Sequence, residues 1–256
     1  MTPLRVLCLH GYHGSANTLR SQMAPLTAGL EDLAQFICVD APSIALGDFG
    51  WWHAKAAHDA PDKNNPGLDR RLRHYDGWPR SLAAIVSTFA QHGPFDGIFG
   101  FSQGAALTGL LAGLSAPDGR PPDQDKPLAF DFAVLIGGFP ANDPELARLY
   151  DRRPSHALPS MHVIGRSDTI VPASLSRELA SRFRQPLVLE HDGGHVIAGT
   201  PHVRSQFRAF LETMAKRKQE RQTPPSRPPT SQVPLATRTI VSHLEAGPPN
   251  GDAPEA

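Results

Sequence analysis

The amino-acid sequence predicts a doubly wound α/β fold, in which helices cover both faces of a mostly parallel sheet. Short apolar runs rich in β-branched residues alternate with segments of helical spacing through most of the chain. Strands that are apolar on both faces are typical of parallel sheets, because crossover helices bury both faces. The expected strands are 4–9, 36–39, 95–99, 132–136, 161–164 and 187–190.

Helices are expected between the later strands and after the last one. Residues 81–92 have helical spacing and lead into the third strand, and a small-residue segment at 105–111 follows that strand. Further helices are expected at 173–183 and 203–218. Strand and helix therefore alternate as βαβ units, which is the connection that parallel strands need.

Residues 43–80 interrupt this alternation and form an aromatic-rich insertion. The insertion shows no clean period, yet it holds all three tryptophans, Trp51, Trp52 and Trp78, together with Tyr75. A long insertion in a compact domain often serves as a lid or a pocket wall, in which case these four residues bind substrate. The alternative is that the tryptophans cap the edge of the core. The sequence alone leaves both interpretations open.

The composition changes after residue 221. Eight prolines fall within residues 222–256, where aliphatic periodicity is almost absent. Such a segment buries too little apolar surface to offset the entropy lost when it is ordered. We therefore expect one domain at 1–221 and a disordered, proline-rich tail at 222–256.

Composition and charge favour a cytoplasmic protein. Lysine plus arginine and aspartate plus glutamate each number 25, and a formal net charge of zero indicates neither a nucleic-acid partner nor a charged membrane surface. No run approaches the roughly 18 apolar residues of a membrane helix, and the start lacks signal-peptide features. Cys8 and Cys38 lie in apolar strands and are expected to be buried, reduced thiols. The basic cluster at 216–221 fits a cationic helix end or a nuclear localisation signal.

The most informative motif is Gly100-Phe101-Ser102-Gln103-Gly104. It lies between a predicted strand and a predicted helix, which is the context of a nucleophile elbow. In such an elbow the serine occupies a strained turn, and the flanking glycines let neighbouring backbone pass without a Cβ clash. The motif predicts Ser102 as a nucleophile.

Two further residues stand where the partners of such a serine belong. A serine hydroxyl needs a general base at neutral pH, and the base needs an acidic residue to orient it. In folds with this elbow the chain order is serine, acid, histidine, with each residue after a successive strand. Asp168 follows the strand at 161–164, and His195 follows the strand at 187–190. We expect Ser102, Asp168 and His195 to meet at the carboxyl edge of the sheet as a catalytic triad.

Competing residues exist for both the base and the acid. His191 competes with His195, but it falls at the end of its strand rather than beyond the glycine pair. Asp168 has a structural alternative as a turn or N-cap residue of the following helix. The other aspartates considered are too close along the chain to the base or lie in another loop: Asp192, Asp143 and Asp151.

Acyl transfer also needs N–H donors for the oxyanion. The backbone amide of Gln103, directly after the nucleophile, is expected to be one donor. The backbone amide of Tyr12 is expected to be the other, because His10-Gly11 directly follows the first buried strand. An ordinary glycine-rich turn is the alternative interpretation of that loop.

We expect no metal ion. The chain contains no H-E-x-x-H motif. His10 and His13 lie in the glycine-rich loop, and His53 and His58 stand five residues apart, off a shared helix face. These spacings do not match those of zinc ligands.

The motifs resemble the FSH family of serine hydrolases, a branch of the α/β-hydrolase superfamily. The similarity covers about residues 3–215, and its most specific part is the elbow block at 93–106. Other matching elements are Leu9-His10-Gly11, Trp78 with Ser81-Leu82, Ile136-Gly137-Gly138-Phe139, 159–172 and Gly193-Gly194-His195. The resemblance implies a cofactor-free hydrolase of carboxylic esters or thioesters, with Ser102, Asp168 and His195 as its triad.

The expected substrate is a small-molecule acyl ester or thioester, cleaved through an acyl-enzyme intermediate. Acyl-protein thioesterases share the G-F-S-Q-G elbow, but they typically carry a further glycine where this chain has Ala105-Ala106. An enzyme of that type, a peptidase and a non-catalytic binding protein are the alternatives. The presence of all three triad residues favours catalysis over binding alone. The oligomeric state stays open.

Overall fold

A six-stranded parallel sheet forms the centre of the computed structural model, which describes residues 2–44, 48–56, 73–116, 122–123, 127–151 and 158–222. In chain order, the strands of this sheet are β1 (Leu4–Leu9), β2 (Ala34–Val39), β7 (Gly97–Phe101), β8 (Phe132–Ile136), β9 (Ser160–Gly165) and β10 (Leu187–His191). The intervening numbers belong to short strands of the insertion. The predicted sheet, with its mostly parallel strands, is confirmed.

The order of the strands in the sheet determines where the loops that carry the candidate site lie. Across the sheet the strands run β10-β9-β8-β7-β1-β2. The order reverses at β1, which pairs with β2 on one side and with β7 on the other. In open α/β sheets, ligands bind at the carboxyl ends of the strands where the order reverses. The loops after β1 and β7 carry Gly11 and Ser102, so both loops open at this point.

Six α-helices accompany the strands in the described part of the chain. They are α1 (Ala16–Thr27), α2 (Trp78–His92), α3 (Gln103–Gly113), α4 (Pro144–Ala147), α5 (Ala173–Ser181) and α6 (Pro201–Gln222). A 3₁₀ turn at Arg148–Asp151 continues α4. The four helices predicted from the sequence are α2, α3, α5 and α6, and their observed ends lie within a few residues of the predicted ones.

The sheet separates two apolar layers, as a doubly wound fold requires. Leu7 and Leu9 of β1 belong to the layer under α2, α3 and α5. Val6 and Cys8 of the same strand belong to the layer under α1 and α6. Successive side chains of a strand point to opposite faces, so one buried strand contributes to both layers. This explains why the strands are nearly continuous apolar runs.

Helix α1 was not predicted, although the sequence carries signals for it. Ser15 caps its first turn, since its side chain accepts a hydrogen bond from the amide of Thr18. Its buried residues, Leu19, Met23 and Leu26, follow the spacing of one helix face. Pro25 lies in the last turn and obscures the pattern, because proline is usually excluded from helix interiors.

The aromatic insertion contributes two small antiparallel pairs. Strands β3 (Ser43–Ile44) and β4 (Asp48–Phe49) form the first pair, and β5 (His53–Ala56) and β6 (Arg73–Asp76) form the second. Residues 45–47 and 57–72 of the predicted insertion lie outside the described residues. The described part of the insertion therefore consists of residues 43–44, 48–56 and 73–80.

The remaining sequence predictions concern the tail and the cysteines. Helix α6 continues to Gln222, and the rest of the predicted disordered tail lies outside the described residues. Cys8 and Cys38 are free thiols that face each other in the register of β1 and β2. Within the described ranges, no helix is both long and apolar enough to cross a membrane.

Candidate active site

Ser102 occupies the turn between β7 and α3. Its backbone has φ +55° and ψ −118°, which is strained for a residue with a side chain. The Ser102 amide donates to the carbonyl of Ile136 at 2.9 Å, so the turn is tied to the neighbouring strand β8. A Cβ on Gly100 would overlap the Gly104 carbonyl, and a Cβ on Gly104 would overlap the Leu9 carbonyl. The two glycines of the motif are therefore needed for the turn to close.

His195 lies beside Ser102, in the loop after β10. Its Nε2 is 2.8 Å from the Ser102 Oγ, across 93 residues of sequence. The Phe101 ring lies against the imidazole, with ring centroids 4.9 Å apart. The side chain of His195 is 16% exposed, so one edge of the ring remains open to the site. This geometry allows a proton to pass between serine and histidine.

Asp168 completes the hydrogen-bonded chain from the loop after β9. Its Oδ2 is 2.6 Å from the Nδ1 of His195. Its Oδ1 accepts hydrogen bonds from the amides of Ile170 at 2.9 Å and Val171 at 2.8 Å. The carboxylate therefore orients His195 with one oxygen and closes its own turn with the other. An ionised carboxylate only accepts, so the Nδ1 of His195 carries the proton and its Nε2 faces the serine hydroxyl.

The competing residues have other partners. His191 is buried, and its Nδ1 accepts the amide of Gly193 at 3.1 Å. Burial, together with the nearby Arg166, lowers the pKa of His191. Asp192 pairs with Arg166 at the surface, at 2.6 Å. Asp143 caps α4 and also accepts the amide of Tyr75, and Asp151 ends the 3₁₀ turn. These contacts leave Ser102, His195 and Asp168 as the assembled set.

The two predicted oxyanion donors flank the nucleophile. A Cβ on Gly11 would lie 3.1 Å from the Ser102 Cβ, so the loop after β1 passes directly beside the serine. Within the part of the chain that the structure describes, the backbone N–H groups of Tyr12 and Gln103 donate to no protein acceptor. The Gln103 amide also lies at the N-terminus of α3, where helix N–H groups favour negative charge.

The side chain of His10, considered above as a metal ligand, instead supports this loop through two hydrogen bonds. Its Nε2 accepts the Ala41 amide at 3.0 Å, so its Nδ1 carries the proton and donates to the Gly11 carbonyl at 2.7 Å. Burial lowers the pKa of His10, which keeps this histidine neutral. No three His, Cys, Asp or Glu side chains among the described residues group closely enough to hold a metal ion. His58 lies outside those residues.

A pocket of about 510 Å³ opens beside Ser102. Trp52 and Tyr75 form part of its wall, and their rings stack with centroids 4.6 Å apart. Such stacking contributes about 0.5–1.5 kcal/mol beyond the burial of the rings. Other residues that line the pocket are Tyr12, His53, Arg73, Asn142, Ile170 and Leu175.

The structure places the four aromatic residues that were predicted to bind substrate in two different positions. All four belong to one core cluster, and of the four Trp52 and Tyr75 are among the described residues that line the pocket, whereas Trp51 and Trp78 are not. Trp51 is 0% exposed, and Trp78 packs edge-on against Trp52 with ring centroids 6.5 Å apart. The described part of the insertion therefore contributes to the pocket wall and also packs in the core.

The family described as Serine hydrolase (FSH1) matches residues 1–207. The chain belongs to this FSH1 serine hydrolase family. Membership confirms the resemblance inferred from the motifs and makes the protein a hydrolase.

Curated relatives agree with the FSH1 assignment. Esterase OVCA2 of Homo sapiens is 32% identical over 234 residues, which cover 84% of this chain and 98% of the relative. Esterase OVCA2 of Xenopus tropicalis is 31% identical over 225 residues, which cover 82% and 92%. This FSH1 member therefore matches nearly the whole length of proteins named esterases.

Solved structures support the fold. Acyl-protein thioesterase 2 of Zea mays is 20% identical, with a TM-score of 0.57 over 82% of this chain and 94% of that chain. Esterase PE8 is 21% identical, with a TM-score of 0.54 over 82% and 92%. At these identities the likeness shows the α/β-hydrolase fold alone. The predicted fold class of this FSH1 member is confirmed.

Proposed function

We propose that the protein hydrolyses carboxylic esters or thioesters through a Ser102–His195–Asp168 triad and an acyl-enzyme intermediate. The observation that carries this proposal is the unbroken chain of hydrogen bonds from the Ser102 Oγ through His195 to Asp168, at 2.8 and 2.6 Å. Membership of a serine hydrolase family supports the same chemistry. No cofactor takes part in the proposed reaction.

In the first step, the Ser102 Oγ attacks the carbonyl carbon while the Nε2 of His195 accepts the hydroxyl proton. Asp168 holds the Nδ1–H of the ring and stabilises the imidazolium that forms. The tetrahedral intermediate then expels the alcohol or thiol, which takes its proton from the Nε2 of His195. An ester of Ser102 with the acyl group remains.

In the second step, a water molecule attacks the acyl-enzyme while the Nε2 of His195 accepts its proton. The second tetrahedral intermediate releases the acid and returns the proton to the Ser102 Oγ. In both steps the carbonyl oxygen becomes negative, and the amides of Tyr12 and Gln103 would stabilise it. Each such donor contributes on the order of 10²–10³ to the rate.

The pocket suggests which substrates fit. Its wall contains the Trp52–Tyr75 stack on one side, with Ile170 and Leu175 among its other apolar residues. A pocket of about 510 Å³ lies within the usual range for small-molecule sites. We propose that it takes an apolar acyl chain of medium or greater length. An acyl-protein-thioesterase-like activity is the second candidate, supported by the fold likeness to the Zea mays enzyme.

Replacement of the nucleophile tests the proposal. We expect Ser102→Ala to lower kcat by about 10⁴–10⁶-fold and to abolish labelling by a fluorophosphonate probe, with an unchanged circular dichroism spectrum. The exposed Ser181, far along the chain in α5, offers a matched control, since Ser181→Ala should leave both readouts unchanged. An active or labelled Ser102→Ala protein would overturn the assignment. Wild-type protein without hydrolysis or labelling would favour a non-catalytic binding protein.

A substrate series distinguishes the two candidates. Acyl p-nitrophenyl esters of increasing chain length report the depth of the pocket, and acyl-CoA thioesters of the same lengths report the preferred leaving group. A strong preference for S-acylated peptides over both would favour the thioesterase-like activity.

The domain boundaries and the location stay proposals. We propose that residues 1–221 contain the catalytic unit, and that a chain ending at Gln222 keeps the full rate. The free thiols Cys8 and Cys38 are consistent with the reducing conditions of the cytoplasm.

A further inference from the structure

We propose that Trp51 is a positioning residue. It fixes the loop that carries Tyr12 and the start of α3, which carries Gln103, relative to each other, and these are the two sides of the oxyanion site. This inference rests on the proposed function, since it assigns Tyr12 and Gln103 as the oxyanion donors. The indole Nε1–H of Trp51 donates to the His10 carbonyl at 2.8 Å, and its backbone N–H donates to the Gln103 Oε1 at 3.0 Å. One residue is therefore bonded to the loop after β1 and to the start of α3.

Trp51 is itself firmly held. It is buried in the core, and the Ser81 hydroxyl of α2 donates a hydrogen bond to its carbonyl. The Gln103 Nε2 donates to the next carbonyl, that of Trp52, at 2.8 Å. The Gln103 side chain thus makes two hydrogen bonds to adjacent backbone groups of the insertion, and it is itself buried. The segment 51–52 is fixed to α3 at two points.

The contact on the other side reaches the loop that carries Tyr12. The His10 carbonyl belongs to the residue two before Tyr12, and the His10 ring lies 5.2 Å from the Trp51 ring between centroids. A Cβ on Gly104 would come 2.6 Å from the same His10 carbonyl, so this group sits between Trp51 and the first turn of α3. A shift of Trp51 would move the loop after β1 relative to α3.

This arrangement matters for the rate because oxyanion donors act only when they are placed before the charge develops. Trp51 does not line the described pocket, so its hydrogen bonds serve the placement of two amides and not the binding of the acyl group. Loss of these bonds should therefore lower kcat and leave KM nearly unchanged. Replacement of a residue that only filled the core would lower the free energy of unfolding and would not lower kcat at constant KM.

Two variants remove these contacts while they keep the backbone donors. Trp51→Phe deletes the single hydrogen bond from the indole N–H to the His10 carbonyl. Gln103→Met deletes both side-chain hydrogen bonds, the one from the Trp51 N–H and the one to the Trp52 carbonyl, without touching the Gln103 amide. We expect each to lower kcat by about 5- to 50-fold, with KM within about twofold of the wild type. The affinity for an alkyl boronic acid, which forms a tetrahedral adduct with Ser102, should fall by a similar factor.

Trp78→Phe is the matched control, because Trp78 lies in the same core cluster as Trp51 and is not among the described residues that line the pocket. It undergoes the same substitution, and we expect it to lose stability while kcat and boronate affinity stay within twofold of the wild type. Circular dichroism and urea unfolding would show that each variant is folded at the assay temperature.

Several outcomes would overturn the proposal. Unchanged kcat in folded Trp51→Phe and Gln103→Met would do so, and so would an equal loss of kcat in Trp78→Phe. A rise in KM at constant kcat would instead place Trp51 in substrate binding. If Trp51→Phe does not fold, Gln103→Met alone decides by the same criteria. Failure of the proposed function is a separate result, since the wild type would then lack hydrolysis and probe labelling.

Discussion

Gly137 lies directly against the imidazole ring of His195. A Cβ on Gly137 would stand 3.2 Å from both Cε1 and Nδ1 of that ring, and 3.7 Å from the Oδ2 of Asp168. Gly137 also has φ +56°, a conformation that residues with a side chain rarely adopt. The glycine after β8 therefore provides the space in which the His195–Asp168 hydrogen bond forms.

Gly137→Ala should displace the imidazole and lower kcat. The methyl group requires a shift of a few tenths of an ångström in His195, and we expect kcat to fall about 10- to 100-fold, because misplaced catalytic groups lose much of their effect. Gly29 offers a matched control, since it has φ +78° with nothing within 4 Å of the added Cβ. Gly29→Ala should cost about 1 kcal/mol of unfolding free energy from backbone strain and leave kcat unchanged. Equal kcat in both variants would refute this interpretation of Gly137.

Asp168→Asn should lower kcat by about 10³–10⁴-fold. An amide can donate to the Nδ1 of His195, which leaves the proton on Nε2 and prevents that atom from accepting the serine proton. The Asn Oδ1 can still accept the amides of Ile170 and Val171, so the loop should keep its shape. Steady-state kinetics with a short-chain ester would measure the loss. A fall of less than tenfold would show that the base does not depend on Asp168.

Leu175→Trp should restrict the length of the acyl chain. Leu175 lines the pocket and is 39% exposed, so a larger side chain can be placed there without disturbing the core. We expect kcat/KM for octanoyl esters to fall at least tenfold, while kcat/KM for acetyl esters changes less than threefold.

Val188→Trp is the control for chain length. Val188 is 40% exposed on β10 and is not among the described residues that line the pocket. Both esters should react at the wild-type rate in this variant. A chain-length profile that is the same in Leu175→Trp and the wild type would show that the acyl chain lies elsewhere.

Protonation of His162 should contribute to the loss of stability in acid. Burial lowers the pKa of His162 to about 3, whereas an unfolded histidine has a pKa of about 6.5. The unfolded state therefore binds the proton first, and the free energy of unfolding falls as the pH drops from about 6.5 towards about 3. Over this window one such group contributes a slope of roughly 1.4 kcal/mol per pH unit.

His162→Leu should reduce that slope by about the contribution of one proton. Urea unfolding between pH 6 and pH 4 would measure the slope in the wild type and the variant. Met161→Leu, a conservative change at the neighbouring buried position in β9, should leave the slope unchanged. The same slope in His162→Leu and the wild type would show that His162 is not protonated on unfolding in this range.

The fold followed from local patterns to a large extent. Buried strands such as 132–136 and 161–164 are apolar on both faces, and this property is visible without knowledge of their neighbours. The exceptions have equally local causes. Pro25 interrupts the helical sequence pattern of α1, so that helix was not predicted. The short strands β5 and β6 show no apolar alternation, because β5 is largely exposed.

The adjacent tryptophans show a feature that local sequence patterns do not predict, namely which of the two rings lines the pocket. Trp51 and Trp52 are neighbours in sequence, and composition treats them alike. In the folded chain Trp52 lines the pocket, whereas Trp51 is bonded to His10 and Gln103 behind it. Residues 48–52 have no helix or strand period from which the direction of each side chain could be inferred. Only the packing of this segment between the loop after β1 and the helix α3 decides which ring lines the pocket.

The sequence by itself determined the class of the sheet, the turn that bears Ser102, and the order in which an acid and a histidine follow it. These features are encoded in short windows and in the succession of strands along the chain. The tertiary structure alone decided the role of His10, the contact of Gly137 with His195 and which of the tryptophans lines the pocket. Each of these depends on atoms that are distant in sequence, and their proximity arises only when the strands have assembled and the loops at their carboxyl ends have packed together.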